Sequence, residues 1–298
     1  MNGVQTRRLR LLLELSRLGS MRAVSQELGV TTSTVSQQIA ALAREVGTAL
    51  VEPVGRQVRL TPAGRRLAEH AVTILADVEA ARLALDPAAE PAGTVRIAGF
   101  ATAVRRSLVP IAAHLAAAHP GVRLLLHEHE PDECAELLAA DRIDLALVYD
   151  YNLAPAPVDP AVEATALWSA PWGLAVPAGE DVPAGNAVAV LAAMRERDWI
   201  VNSRGDADER VVRAIAATAG YEPRVVHRID SLDLLEDLVA AGYGVGLLAA
   251  DRPPHPGVRL AALTDPEVLL RCYAVVRRGR AGWPPLALVL DLALRARA

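Results

Sequence analysis

The sequence predicts two domains of different class. The first is an N-terminal all-α winged helix-turn-helix continued by a long linker helix; the second is a C-terminal α/β body of two lobes. Three observations predict this. Residues 31–42 form an amphipathic stretch with Val35, Ile39, Leu42 and Val46 on one stripe and short polar side chains opposite. Residues 95–148 alternate strand, helix, strand, helix, strand, the pattern of a parallel sheet with helices on its faces. Charge is also divided: residues 1–85 hold 11 Arg against 7 acids, whereas residues 86–298 hold 20 Arg against 28 acids. A basic head on an acidic body suits a head that meets a polyanion and a body that does not.

The N-terminal elements follow in order. Residues 9–18 read as a leucine-rich helix with Leu9, Leu12, Leu13 and Leu15 close together. Gly19 breaks it, Ser20 caps a short helix over 21–28, and Gly29 closes that helix in the left-handed region a C-terminal cap favours. Thr31 is the expected N-cap of the next helix. Its polar face carries Ser33, Gln37 and Arg44, flanked by Ser36 and Thr34. Hydroxyls and amides can both donate to and accept from base edges, and a helix fits the major groove of DNA. A short helix, a glycine turn and a second helix together make a helix-turn-helix. Residues 49–52 and 57–60 read as a hairpin wing with Arg56 near its tip, suited to phosphate or minor-groove contact. Thr61-Pro62 then opens a long helix by N-cap and first-turn proline. Its seam of Leu67, Ala71, Ile74, Val78, Ala81 and Leu85 has the spacing of a helix paired along another helix.

The runs Gly19-Ser20-Met21-Arg22-Ala23, Leu28-Gly29-Val30-Thr31, Val35-Ser36-Gln37-Gln38-Ile39 and Gly55-Arg56-Gln57-Val58-Arg59-Leu60-Thr61-Pro62-Ala63-Gly64 resemble the N-terminal domain of LysR-type transcriptional regulators. The resemblance covers about the first 85 residues in order. Ala43, Val51 and Pro53 depart from it, standing where the family favours Glu, Phe and Arg. It implies a DNA-binding head in which Thr32, Ser33, Ser36 and Gln37 face the groove and Arg56 contacts DNA from the wing. It also implies linker helices that pair heads on an interrupted palindrome of double-stranded DNA, as a homodimer or homotetramer. RNA polymerase is a further candidate partner. The head alone would suit an architectural DNA binder, and the body alone a solute-binding protein.

In the body, residues 86–93 form a hinge by composition. Strands are expected over 95–98, 122–127, 145–148, 162–167, 173–176, 199–201, 225–228, 244–248 and 269–276. Helices are expected over 104–118, 132–139, 208–218, 232–240 and 285–294. Order and length resemble the family's effector-binding domain, which has the fold of type 2 periplasmic binding proteins. The expected division is head 1–62, linker helix 63–86, hinge 87–93, lobe I about 94–161 with 266–298, and lobe II about 162–265. Ligands in such sheets sit beyond the carboxyl ends of strands, between the lobes. That selects Phe100, Ala101 and Thr102, then Tyr149 and Asp150, then Asn202, Ser203 and Arg204. Thr102, Tyr149, Asn202 and Arg204 are the effector candidates, Thr102 by the resemblance. Arg204 would supply a charge for an anionic effector.

Other chemistry is not signalled. No Gly-rich phosphate loop, nucleophile elbow or HExxH occurs, so no enzyme is expected. His127-Glu128-His129-Glu130 offers two imidazoles on one strand face but no third ligand, and no metal or cofactor is expected. Cys134 and Cys272 have no redox or metal spacing and are expected to be reduced and buried. Glu14 and Arg17 interrupt the leucine run, so neither a signal peptide nor membrane association is expected, and the expected location is the cytoplasm.

Overall fold

The computed structural model describes residues 5–55, 57–86, 89–157, 159–253 and 255–296. The head contains α1 (Thr6–Leu18), α2 (Met21–Glu27), α3 (Thr32–Val46), the wing strands β1 (Val51–Val54) and β2 (Gln57–Leu60), and the linker helix α4 (Pro62–Leu85). The caps act as the sequence indicates. Backbone N–H groups of Ala23, Thr34 and Gly64 donate to the side chains of Ser20, Thr31 and Thr61 at 3.0–3.1 Å. Gly19 and Gly47 close α1 and α3 in the left-handed conformation. Leu9, Leu12 and Leu15 of α1 bury against Val24, Val35, Ile39 and Leu42, forming a core separate from that of the body. Gly64 is required by packing: a Cβ there would lie 2.1 Å from the Leu50 carbonyl oxygen, so α4 starts in direct contact with the backbone entering the wing.

The body runs β3 (Gly93–Gly99), α5 (Ala101–Ala103), a π-helical turn (Val104–Leu108), α6 (Val109–Ala118), β4 (Val122–Glu128), α7 (Pro131–Ala139) and β5 (Leu145–Tyr151). It continues with β6 (Val162–Pro177), α8 (Ala187–Ala193), β7 (Asp198–Val201), α9 (Ala207–Thr218), β8 (Arg224–Arg228), α10 (Leu232–Ala240) and β9 (Val245–Ala249). It ends with β10 (Val258–Ala261), β11 (Leu269–Arg277) and α11 (Pro284–Arg295). The strands lie in the order β4-β3-β5-β11-β6-β9-β7-β8, with β10 beside β6. As expected, β3 is parallel to β4 and β5; β7 is likewise parallel to β8 and β9.

Several expectations are corrected. Residues 162–167 and 173–176 are not two strands but parts of the single strand β6. Its first part pairs antiparallel with β11 as far as Pro171, and from Trp172 onward it pairs with β9. The lobe boundary therefore falls within β6 rather than at residue 162, because the ladder to β11 holds residues 162–171 in the first lobe's sheet. The helix expected over 104–118 begins at Ala101 and widens to a π turn. Pro110 has no N–H for the Arg106 carbonyl, so the regular ladder fails there. The hinge is shorter than expected: Gly93 already pairs with Val122 in β3–β4, while Pro87 and Ala88 lie outside the described residues. The sequence reading missed α8 and β10.

A buried ion cluster fixes the first lobe. Arg96 on β3 donates to Asp144 at 2.8 and 2.9 Å, and Arg280 donates to the same carboxylate at 2.8 Å. Burial disfavours the Asp144 charge, but the two guanidinium groups hold its carboxyl below the usual range. Gly279, just before Arg280, packs so closely on Thr73 of α4 that a Cβ would lie 2.1 Å from its hydroxyl. The turn after β11 thereby joins the body to the linker helix.

Candidate functional site

Two surfaces carry the sequence-selected residues. On α3, Val35, Ile39 and Leu42 are buried, and Thr32, Ser33, Ser36 and Gln37 are exposed on the other side. Local bonds already engage two of these hydroxyls. Thr32 donates to Ser25 at 3.2 Å, and Ser33 shares a 2.8 Å hydrogen bond with the capping Thr31. Ser36 and Gln37 make no side-chain hydrogen bond to another described residue, so their polar groups face solvent unspent. Arg56 lies outside the described residues. Beside it, the wing is braced by Arg59 donating to Glu52 at 2.7 Å.

The linker seam divides. Ala71 is buried in the head's own core, which corrects its expected place at an interface between chains, and Leu67 packs against that core half-buried. The first turns of α4 need that face to pack on α1 and the wing. Further along, Ile74 is 40% exposed and Leu85 is 85% exposed, with Val78 half-buried between them.

The interlobe cleft is a cavity of about 250 Å³ that includes Thr102, Tyr149 and Asn202 among its lining residues. Three of the four effector candidates, on separate segments, are thus brought together. Arg204 is not among the lining residues. Its guanidinium is shared by Asp230 at 3.0 Å, Glu128 at 3.3 Å and Glu133 at 3.4 Å. This corrects its expected role as a free charge for an anion. It ties β4 and α7 of the first lobe to Asp230 of the second. Asp150 is turned to Arg271 at 2.8 Å, and Ser203 is held by Asp230.

The deep wall joins the lobes through hydrogen bonds. Asn202 Nδ2 donates to Tyr149 Oη at 3.3 Å, and that hydroxyl donates to Glu130 Oε2 at 3.2 Å. Tyr151 Oη donates to Asp208 Oδ1 at 2.8 Å. Burial pushes the Glu130 carboxyl up from its ordinary 4.5 to about 7, against the pull of the Tyr149 hydroxyl. Burial likewise pushes Asp208 up from 3.8 to about 6. Both tyrosines are held well above their ordinary value by burial and by neighbouring carboxylates, so they remain donors. Among the described residues no group of three His, Cys, Asp or Glu could hold a metal ion. Cys134 and Cys272 are buried, and burial pushes each thiol up to about 12. A second cavity, about 360 Å³, opens where α4 meets Trp283 and the segment leading into β3.

Comparison with known proteins agrees with this division. Residues 6–65 match the model of the bacterial regulatory helix-turn-helix protein, lysR family, and residues 88–298 match the LysR substrate binding domain. The chain belongs to the LysR family of transcriptional regulators. It is 27% identical over 248 residues to the transcriptional dual regulator GltC of Bacillus subtilis, covering 82% of this chain and 80% of that protein. It is 29% identical over 245 residues to the regulator CfxR of Cupriavidus necator, covering 82% and 75%. In structure it resembles a full-length OxyR variant from Pseudomonas aeruginosa, with a TM-score of 0.74 at 18% identity, covering 100% and 95%. The head of this LysR-family regulator is therefore its DNA-binding domain and the body its effector-binding domain. Among the described residues no helix is long and apolar enough to cross a membrane.

The sequence reading of this regulator missed the charged part of its cleft. Glu130, Asp208, Asp230 and Arg252 line the cavity, yet each reads in sequence as an ordinary helix-terminal or turn residue. The lining holds five carboxylates and two arginines, Arg105 and Arg252, so charges of both signs face the cavity. Glu130 ends the segment already noted for its histidines, and its position one residue before Pro131 marked a helix start.

Proposed function

We propose that two copies of this regulator pair along α4 and present two α3 helices to an interrupted palindrome, one half-site each. Gln37 and Ser36 read base edges. Thr32 and Ser33 contribute at the helix start, where local bonds fix their hydroxyls, and Arg56 holds the wing to phosphate or minor groove. Ile74, Val78 and Leu85 form the pairing seam. An effector enters the interlobe cleft at Thr102, Tyr149 and Asn202, binds two lobe arrangements unequally, and thereby changes the spacing of the heads. The observation that carries the reading is the polar face of α3, exposed and, among the described residues, without side-chain partners at Ser36 and Gln37, above a buried apolar stripe.

A gel shift on DNA upstream of the regulator's own gene, titrated with salt and competitor DNA, tests it. Competitor-resistant binding with steep salt dependence is expected. Binding that competitor abolishes at every candidate operator would sink the base-reading role. Light scattering tests the seam. Ile74→Asp with Val78→Asp is expected to give monomers, and an unchanged mass would place the pairing surface elsewhere.

A further inference from the structure

The sequence holds four Trp, five Tyr and one Phe, and half of these rings gather at the interlobe cleft. Phe100 stacks tilted on Tyr149 at 4.6 Å between centroids, and Tyr149 meets Tyr151 edge-on at 6.1 Å. Tyr151 meets Trp172 edge-on at 5.7 Å, and Trp168 lies 6.3 Å from Phe100. Phe100, Tyr149 and Trp172 line the cavity directly. Aromatic faces are electronegative and attract cations, more strongly where water is excluded.

The charges of the lining divide into matched and unmatched groups. Glu128 and Asp230 share Arg204, and Asp233 pairs with Arg252. Glu130, Asp208 and Arg105 have no ion-pair partner among the described residues; Arg105 is exposed at the rim, whereas Glu130 and Asp208 are the two lining carboxylates buried most deeply, at 7% and 8% exposure. Asn202 sits between them. Its backbone N–H reaches Asp208 and its side-chain Nδ2 reaches Tyr149 beside Glu130. Asn202, 5% exposed, is one of the lining residues, and its buried Oδ1 lacks a hydrogen-bond partner among the described residues. A buried acceptor left open calls for a donor. The wall thus offers three acceptors: two carboxylates and an amide oxygen.

We propose that the cleft's ligand carries a primary ammonium group, held by Glu130, Asp208 and Asn202 Oδ1 against the aromatic wall of Phe100, Tyr149 and Trp172. The assignment deepens the effector reading above and rests on it. An ammonium group has three N–H donors, no acceptor and a positive charge, which matches two carboxylates that lack an ion-pair partner and one amide oxygen that lacks a donor. An anion at the same place would meet two unmatched carboxylates and leave the amide oxygen unsatisfied. The cavity is smaller than the ~300–1,000 Å³ of most ligand pockets, so the ligand is a small amine.

Thermal-shift titration of the full-length protein at about pH 8, where amines stay protonated, tests the class. The probes are ethanolamine, putrescine and tyramine, beside their neutral counterparts ethylene glycol, butanediol and tyrosol, and the carboxylates glycolate, succinate and phenylacetate. The amines alone are expected to raise the melting midpoint. Glu130→Gln and Asp208→Asn are each expected to weaken amine binding about tenfold or more while leaving binding to DNA by the head intact. Phe100→Leu, which keeps every carboxylate, is expected to weaken it less. Equal shifts from the alcohols, or shifts from the carboxylates instead, would overturn the ammonium assignment and leave the effector reading standing. No shift from any series would also overturn it. The effector reading is then judged separately, by whether Arg204→Ala, which unties the lobes, changes the footprint on DNA.

Discussion

The α3 face and the interlobe cleft are built in opposite ways. On α3 the polar side chains are uncharged and exposed, and no described residue competes for those of Ser36 and Gln37. On the deep wall of the cleft Glu130, Tyr149, Tyr151, Asn202 and Asp208 are buried and already bonded to one another across the lobes. The first surface has little to rearrange before its partner arrives. The second holds its groups in a network that bridges the lobes, so on the proposed reading a ligand entering it would change contacts between them. A DNA reader gains from a surface already set out; a sensor gains from one whose bonds depend on what is bound.

That contrast can be broken at either end. The largest effect is expected from Asp144→Asn, which leaves Arg96 and Arg280 buried without their shared anion. A loss of about 3–5 kcal/mol is expected in denaturant unfolding of the body, with operator binding by the remaining folded protein unchanged. Next comes pH. Between about 4.5 and about 7 the folded chain retains the Glu130 proton that the unfolded chain releases, so stability falls as pH rises through that window. Glu130→Gln is expected to remove the part of that fall above about pH 6, leaving below it the smaller part that the raised Asp208 contributes, and to stabilise the body at pH 8 by up to about 3 kcal/mol. A fall of equal size in the variant would show that other groups carry it. Gln37→Ala is expected to weaken operator binding by about 1–3 kcal/mol and to relax preference at one position, while the body's unfolding stays the same. Equal loss on specific and random DNA would remove Gln37 from base reading. The smallest effect is expected from Thr31→Ala, about 1 kcal/mol in stability of the head, through loss of the bond to the Thr34 N–H.

The two surfaces also differ in how far they can be read from the chain. The α3 face is a local object: a cap, a stripe and a polar side lie within fifteen residues of sequence, and their spacing determines which side is buried. The cleft is assembled from β3, β4, β5, β6 and the second lobe, so no window of sequence contains it. Position after a strand selected Thr102, Tyr149 and Asn202 correctly for the lining. It also selected Arg204, because an arginine's partners cannot be counted before Glu128, Glu133 and Asp230 are placed around it. Ala71 failed for a related reason. A heptad spacing states that a face is covered, not whether the cover is the chain's own α1 or another molecule. β6 was read as two strands because Pro171 falls mid-strand, yet its ring is tolerated where the ladder changes from β11 to β9.

The passage of β6 from one lobe to the other has a consequence for how the molecule comes apart. A strand shared by two ladders cannot leave one of them and remain in the other without fraying, and the apolar cluster around it includes Ile97 and Leu147 from one lobe with Trp199 and Leu247 from the other. The lobes are therefore one cooperative unit despite the cleft between them, while the head, with its own core, is a second. Calorimetry should resolve two unfolding events rather than three, and the event assigned to the body should contain both lobes.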